Sequence, residues 1–208
     1  FKKDGIEQMF LGHNIDSNYW EAMYFWADLS NNPHFVCLGQ TRSGKSKSIL
    51  SIIFHIAYSY PETIWYFADG KNGQDLEGLA DLLSPLPCAR KIGHAIDPLT
   101  NEPVNTADEM NEFANQITMI WGHLKERQAL FSKAASETGV NCSTIYEYRK
   151  NVGPLPQIFW IIDEFKEFNL LLDFDKNRKT TGTLANMIER LFTGGASFGI
   201  HIGIITQR

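Results

Sequence analysis

The chain has 208 residues, 43% hydrophobic and 21% charged, which is the balance of one globular domain and excludes an intrinsically disordered chain. No stretch approaches the roughly 18 consecutive apolar residues of a membrane-spanning helix; the best run, Ile49 to Tyr60, is broken by Ser51, His55 and Ser59. A formal net charge of −5 excludes a uniformly basic, nucleic-acid-coating surface, so any contact with a polyanion has to be local.

The opening residues, Phe1-Lys2-Lys3-Asp4, carry no apolar leader. The missing initiator Met and the abrupt end at Arg208 lead us to expect a single domain, 1–208, cut from a longer chain, with any membrane anchor outside it. Cys37, Cys88 and Cys142 lie far apart without a Cys-x-x-Cys pair, which argues against a zinc site and a disulfide framework and for reduced thiols.

In chain order, Phe35-Val36-Cys37-Leu38 is a short apolar run that ends at Gly39, and a helix follows over about Lys45 to Ala57. Thr63 to Ala68 is aromatic and β-prone and closes in the turn Asp69-Gly70. Gln74 to Leu83 reads as a short helix. Ser84 to Asn105 reads as loop, interrupted by Pro85, Pro87, Pro98 and Pro103. Asp108 to about Ala135 is a long helix whose apolar members Phe113, Ile117, Ile120, Leu124 and Phe131 mostly recur every three or four residues. Gln157 to Ile162 is a very apolar strand followed by Asp163-Glu164. Leu184 to about Phe192 is helical, then comes a Gly-rich turn, then the strand His201 to Thr206. Continuously apolar strands separated by helices indicate an α/β fold with a mainly parallel sheet covered on both faces. Such sheets bind ligands outside the carboxyl ends of their strands. Gly39, Asp163 and Gln207 all fall at such ends.

Gly39-Gln40-Thr41-Arg42-Ser43-Gly44-Lys45-Ser46 matches the phosphate-loop pattern G-x-x-x-x-G-K-[ST] without deviation. Its glycines let backbone N–H groups converge on phosphate oxygens. Lys45 would reach the β- and γ-phosphates of ATP, the Ser46 hydroxyl would ligate Mg²⁺, and the following helix would present its positive end to the anion. Average residue usage makes a chance match rarer than about 1 in 100 chains of this length, and here the motif also sits between an apolar strand and a helix. Nucleotide binding is the reading. Arg42, at a variable position of the motif, reads as solvated rather than catalytic.

The run Ile158 to Ile162 delivers two acids to a strand tip. Asp163 would hold Mg²⁺, usually through water, and Glu164 would activate the attacking water as general base. A solvated acidic turn is the plain alternative. The position of the pair after the cradle, with one strand between them in the chain, favours the functional reading.

Other segments complete a resemblance. Phe10 to Ile15, Ala27-Asp28-Leu29 and Pro33-His34-Phe35-Val36 look like the lead-in to the phosphate loop of the FtsK/SpoIIIE family, within the HerA–FtsK group of ring motors. Phe67-Ala68-Asp69-Gly70-Lys71 is similar to its second-strand Asp-Pro-Lys segment, with Gly70 where proline is usual. Lys125 to Phe131, with Tyr146 and Tyr148, resembles the helix and following segment ahead of its Asp-Glu strand. Ser197 to Ile202, through Thr206-Gln207-Arg208, resembles its closing strand and Thr-Gln-Arg signature.

The resemblance implies a RecA-like P-loop NTPase core, with last strands beyond Arg208, and a homo-oligomer, typically a hexameric ring with ATP between subunits. It implies Gln207 as a polar sensor of the γ-phosphate or the attacking water. The family's arginine in the turn before the last strand is absent from Gly194-Gly195-Ala196-Ser197. Arg190 is the candidate substitute, trans-acting on a neighbour's ATP, with a surface helix residue as the simpler reading. His34 and His201 read as structural, Trp65 and Trp160 as core, and Asp173 to Lys179 as a charged loop.

Three functions compete. The first is a double-stranded DNA translocase serving segregation or conjugative transfer, the family's commonest role. The second is a protein-export motor of the type VII secretion kind, acting on a secreted protein. The third is an ATP-dependent assembly platform that hydrolyses little. All three imply a cytoplasmic domain working with membrane-anchored components.

Overall fold

The computed structural model describes residues 2–3, 6–13, 24–29, 33–39, 45–70, 76–86, 88–90, 107–166, 168 and 179–206. Its centre is a parallel sheet of five strands: β4 (Phe35–Leu38), β5 (Ile64–Asp69), β6 (Ala89–Arg90), β7 (Ile158–Asp163) and β8 (Ile200–Thr206). Their spatial order is β4-β8-β7-β5-β6. The last strand is thus inserted between the first strand of this sheet and the strand that carries the acidic pair. Ahead of the sheet lies a small antiparallel one, β1 (Lys2–Lys3), β2 (Ile6–His13) and β3 (Tyr24–Asp28), in the order β1-β2-β3.

Among the described residues the helices with defined bounds are α1 (Lys45–Ser59), α2 (Glu77–Leu83), α3 (Ala107–Thr138), α4 (Ile145–Asn151) and α5 (Lys179–Gly194). From β4 to β5 to β6 the chain steps in one direction across the sheet; from β6 to β7 to β8 it steps back. A right-handed crossover places its helix on opposite faces for opposite steps. Accordingly α1 and α2 cover one face, where Ile49, Ile53, Ile56, Leu79 and Ala80 pack on Trp65, Phe67, Phe159, Ile161 and Ile205. On the other face α3 and α5 place Phe113, Ile117, Ile120, Leu124, Ile188 and Leu191 against Tyr66, Ala68, Ile158, Trp160, Ile162, Ile200 and Ile202. The side chains of β5 and β7 alternate between the two layers as the pleat requires, so every residue of both strands beyond Ile64 is buried.

Several polar groups sit inside these layers with partners. Gln116 of α3 donates from its amide nitrogen to the Phe67 carbonyl at 2.7 Å and accepts the Trp160 indole N–H at 3.0 Å. Arg127 donates to the carbonyls of Phe198 at 2.5 Å and Pro156 at 2.6 Å, tying α3 to the amino ends of β7 and β8. His201 lies fully inside, with Nδ1 2.8 Å from the Pro33 carbonyl and Nε2 2.9 Å from the Gln157 carboxamide. The Ile202 N–H donates to His34 Nδ1 at 3.0 Å. Both histidines are therefore structural, and Trp65 and Trp160 are core, as the sequence suggests. None of the three cysteines is disulfide-linked; burial foremost, and then the Asp69 carboxylate, pushes the Cys88 thiol up to about 12.

The sequence expectations need four corrections. The segment expected as loop from Ser84 contains β6, which pairs in parallel with β5 through Ala68–Ala89 and Asp69–Arg90; the 91–105 part lies outside the described residues. Pairing with a neighbouring strand, a long-range interaction, fixes those two residues where local proline content suggested only loop. The short helix starts at Glu77 rather than Gln74. The last helix begins at Lys179 and runs through Gly194, and the expected Gly-rich turn is the end of that helix followed by a 3₁₀ turn, Gly195–Phe198. Packing of Ile188 and Leu191 on the sheet carries the helix past its unfavourable glycines. Finally, α4 had no counterpart, although a capping box announces it: the Glu147 N–H donates to Thr144 Oγ1 at 3.2 Å and the Thr144 N–H to the Glu147 carboxylate at 3.1 Å.

Candidate functional site

The register of the parallel sheet aligns the strand tips. Cys37 pairs with Ile205, Ile205 with Asp163, Asp163 with Asp69, and Asp69 with Arg90. At about 4.8 Å between neighbouring strands, Asp163 lies about 10 Å across the sheet from the end of β4. Gly39 follows β4 at this edge, and α1 starts at Lys45 on the face that the helix covers. The first N–H groups of α1 lack intrahelical acceptors and carry the positive end of the helix dipole, so they suit an anion. Gln40, Thr41, Arg42, Ser43 and Gly44 lie outside the described residues; Lys45 and Ser46 are the first two residues of the helix.

Asp69 and Asp163 are register partners on neighbouring parallel strands, so they point to the same face. That face is the α1 face, because Phe67 and Ile161, two residues earlier, pack there. Both carboxylates are buried, at 0% and 1% exposure. Asp69 accepts the Leu76 N–H at 3.3 Å. A buried carboxylate at a strand end, on the face that α1 covers, is the kind of oxygen donor a Mg²⁺ ion takes, so its chemistry fits the metal.

The peptide joining Asp163 to Glu164 is pinned from both sides. Its carbonyl accepts the Gly70 N–H at 2.9 Å, and its N–H donates to the Ile205 carbonyl at 2.7 Å. Beyond this plane the backbone of Glu164 turns to φ 54°, the one left-handed non-glycine among the described residues. Such a conformation costs a side-chain-bearing residue about 1–2 kcal/mol and persists only where the surroundings enforce it. It carries the carboxylate toward β8, where Thr206 Oγ1 lies 3.4 Å from Glu164 Oε1. Strands β5 and β7 send their chains to helices on opposite faces, and Gly70, Asp163 and Glu164 sit at their carboxyl ends, the place where sheets of this kind bind ligands.

The structure thus brings Gly39, the start of α1, Asp163 and Glu164 to one edge. Gln207 directly follows the last residue of β8 but lies outside the described residues. Arg190 stands apart. It is exposed on α5, about 16 Å along the helix from Lys179, beside Trp121, Met187 and Thr193 in a groove of about 460 Å³. Because α5 runs from the carboxyl end of β7 toward the amino end of β8, Arg190 lies away from the edge that carries Asp163.

Sequence reasoning missed Gly70, Asp69 and Thr206 as neighbours of the acidic pair. Asp69 and Gly70 carried a signal, since they terminate a β-prone run as Asp163 does; which strand lies beside which is absent from local pattern. Thr206 was visible as the last residue of its strand.

A model of the FtsK/SpoIIIE family matches residues 11–208. The ESX-1 secretion system protein EccCa1 of Mycobacterium tuberculosis is 24% identical over 211 residues, covering 95% of this chain and 25% of the relative. The DNA translocase FtsK of Clostridium tetani is 26% identical over 183 residues, covering 88% of this chain and 21% of the relative. The chain therefore spans about a quarter or less of these relatives. Among solved structures, the pCW3 conjugation coupling protein TcpA, in its monomer form with ATPγS, superposes with a TM-score of 0.63 at 21% identity, over 100% of this chain and 51% of that one. The parallel sheet, its strand order and this superposition give a RecA-like P-loop NTPase core. With nearly its whole length inside the family model, the chain belongs to the FtsK/SpoIIIE family of P-loop ATPases.

Proposed function

We propose that this domain binds ATP with Mg²⁺ at the carboxyl edge of its sheet, hydrolyses it, and uses the cycle to move double-stranded DNA through a homo-oligomeric ring. The observation that carries the ATP part of this reading is the placement of the end of β4, from which the chain leads to α1, at the same sheet edge as the buried Asp163 and the adjoining Glu164 turn. Residues 39–46 cradle the phosphates, with Lys45 on the β- and γ-phosphates. Ser46 and Asp163 hold Mg²⁺, which when bound neutralises the charge developing on the phosphates. Glu164 takes the proton of the attacking water, and Gln207 orients that water or the γ-phosphate. Arg190 is the candidate to reach a neighbouring subunit's ATP. The domain works on the cytoplasmic side of a membrane with anchored partners.

A second reading is a protein-export motor. The net charge of −5 and the similarity to EccCa1 favour it, because an acidic domain gains nothing from a phosphate backbone except at local basic loops. The test is the ATPase rate of the full-length protein with and without double-stranded DNA at fixed moderate salt, with Glu164→Gln as control. A rise with DNA that the variant loses supports the DNA translocase. Hydrolysis indifferent to DNA moves the reading to export. A rate near zero under all conditions replaces both with an assembly platform.

A further inference from the structure

We infer that Gly70 is a positioning residue for the Glu164 carboxylate, its backbone N–H and its missing side chain together setting the turn that aims the carboxylate over the end of β8. The inference rests on the ATP-hydrolysing reading above and extends it to a residue outside the phosphate loop and the acidic pair.

Glu164 has only two soft backbone angles, and the first is measured from the plane of the peptide that precedes it. That plane is held by two hydrogen bonds on opposite sides, one from the Gly70 N–H to the Asp163 carbonyl and one from the Glu164 N–H to the Ile205 carbonyl. Gly70 supplies the β5 half of the clamp and Ile205 the β8 half. The clamp extends the ladders past the paired ends of β5 and β7, where a free strand tip would fray. With the plane fixed, φ 54° sends the side chain toward Thr206.

The same site leaves no room for a side chain at position 70. A Cβ there would sit 2.9 Å from the Glu164 carbonyl oxygen, 3.0 Å from Glu164 Cβ and 3.2 Å from the Asp163 carbonyl oxygen. All three contacts are to the acidic turn. Two are backbone atoms and the third is the root of the Glu164 side chain, so no flexible side-chain end can give way. Any side chain at position 70 therefore moves the turn itself. Strand β8 lies between β7 and β4, so a carboxylate carried over its end is carried toward Gly39 and the start of the cradle. Displacing it alters the chemical step and leaves the phosphate cradle, on β4 and α1, in place.

The experiment is a double-mutant cycle of Gly70→Ala and Glu164→Gln in the full-length protein, with kcat, the affinity for a slowly hydrolysed ATP analogue, and amide hydrogen exchange at residues 70 and 164. Gly70→Ala is expected to lower kcat by about 10- to 100-fold, the scale of an ångström-level misplacement. Nucleotide affinity stays within about twofold, since the cradle is untouched. In the Glu164→Gln background the same substitution lowers the residual rate no further, because the group it positions is gone. Exchange at residue 164 accelerates in Gly70→Ala whether or not the protein turns over. An unchanged kcat in Gly70→Ala overturns the inference. So does an equal further loss in the Glu164→Gln background, or unprotected amides at 70 and 164 in the wild-type protein, a measurement that stands even where Gly70→Ala fails to fold. A wild-type protein that hydrolyses no ATP overturns the ATPase reading instead, while the exchange comparison still decides whether Gly70 holds the turn.

Discussion

His201 makes the stability of this domain depend on pH with a sign and size that follow from its surroundings. The ring is fully inside the protein, stacked at 4.8 Å on Phe159, and its Nδ1 faces the Pro33 carbonyl, which can only accept, so Nδ1 carries the proton. Gln157 Oε1 stands 2.9 Å from Nε2, so a neutral ring requires the carboxamide turned over to present its NH₂ there. Burial foremost, with the charges of His34, Arg127 and Arg149 adding to it and the Pro33 carbonyl opposing it, pushes the imidazole down from 6.5 to about 3. The folded value lies below the unfolded one, so the unfolded chain takes up the proton first. Stability from this group is intact above about pH 6.5 and is lost as pH falls toward about 3. At about 1.36 kcal/mol per pH unit, the loss by pH 5 is about 2 kcal/mol, or roughly 4–8 °C in Tm for a domain of this size. The assay is urea unfolding at pH 7, 6 and 5 for the wild type and His201→Gln. The variant should lose about 2 kcal/mol less than the wild type between pH 7 and 5, whatever its stability at pH 7. Equal losses in the two proteins would show that His201 takes up no proton on unfolding, and the assignment of a neutral buried ring would be wrong.

Other outcomes are as specific. Gln116→Leu keeps the shape of the side chain but strands the Phe67 carbonyl and the Trp160 indole N–H, so the urea midpoint should fall by the equivalent of about 2–4 kcal/mol at unchanged m. Gly203→Ala drives a methyl into the Phe35 ring across the β4–β8 pair and should cost about 1–3 kcal/mol, most of it recovered by adding Phe35→Leu. Glu164→Gln should retain nucleotide affinity and lower kcat by about 10²- to 10⁴-fold, measured by phosphate release. Lys45→Ala should abolish nucleotide binding or nearly so in an equilibrium titration; unchanged affinity would move the cradle elsewhere.

The phosphate-loop pattern, the alternation of apolar strands with helices, and the acid pair at a strand tip were legible because each is a local property. A run such as Ile158 to Ile162 is long and apolar enough to be a buried strand wherever it is placed, and Phe113, Ile117, Ile120, Leu124 and Phe131 announce a helix face by spacing alone; all five are buried. Strand neighbours are not local. Nothing in residues 200–206 says that they lie between β4 and β7, yet that insertion sets Thr206 beside Glu164. Nothing in Asp69-Gly70 says that one is the register partner of Asp163 and the other a clamp on its peptide. The small antiparallel sheet and β6 were hidden for the same reason, since two-residue strands such as β1 and β6 exist only through their partners. The sequence by itself determined which residues could make a nucleotide site. Tertiary structure decided which of them meet, because hydrogen bonds across a sheet and the packing of helices on its two faces join residues whose separation along the chain leaves no trace in local pattern.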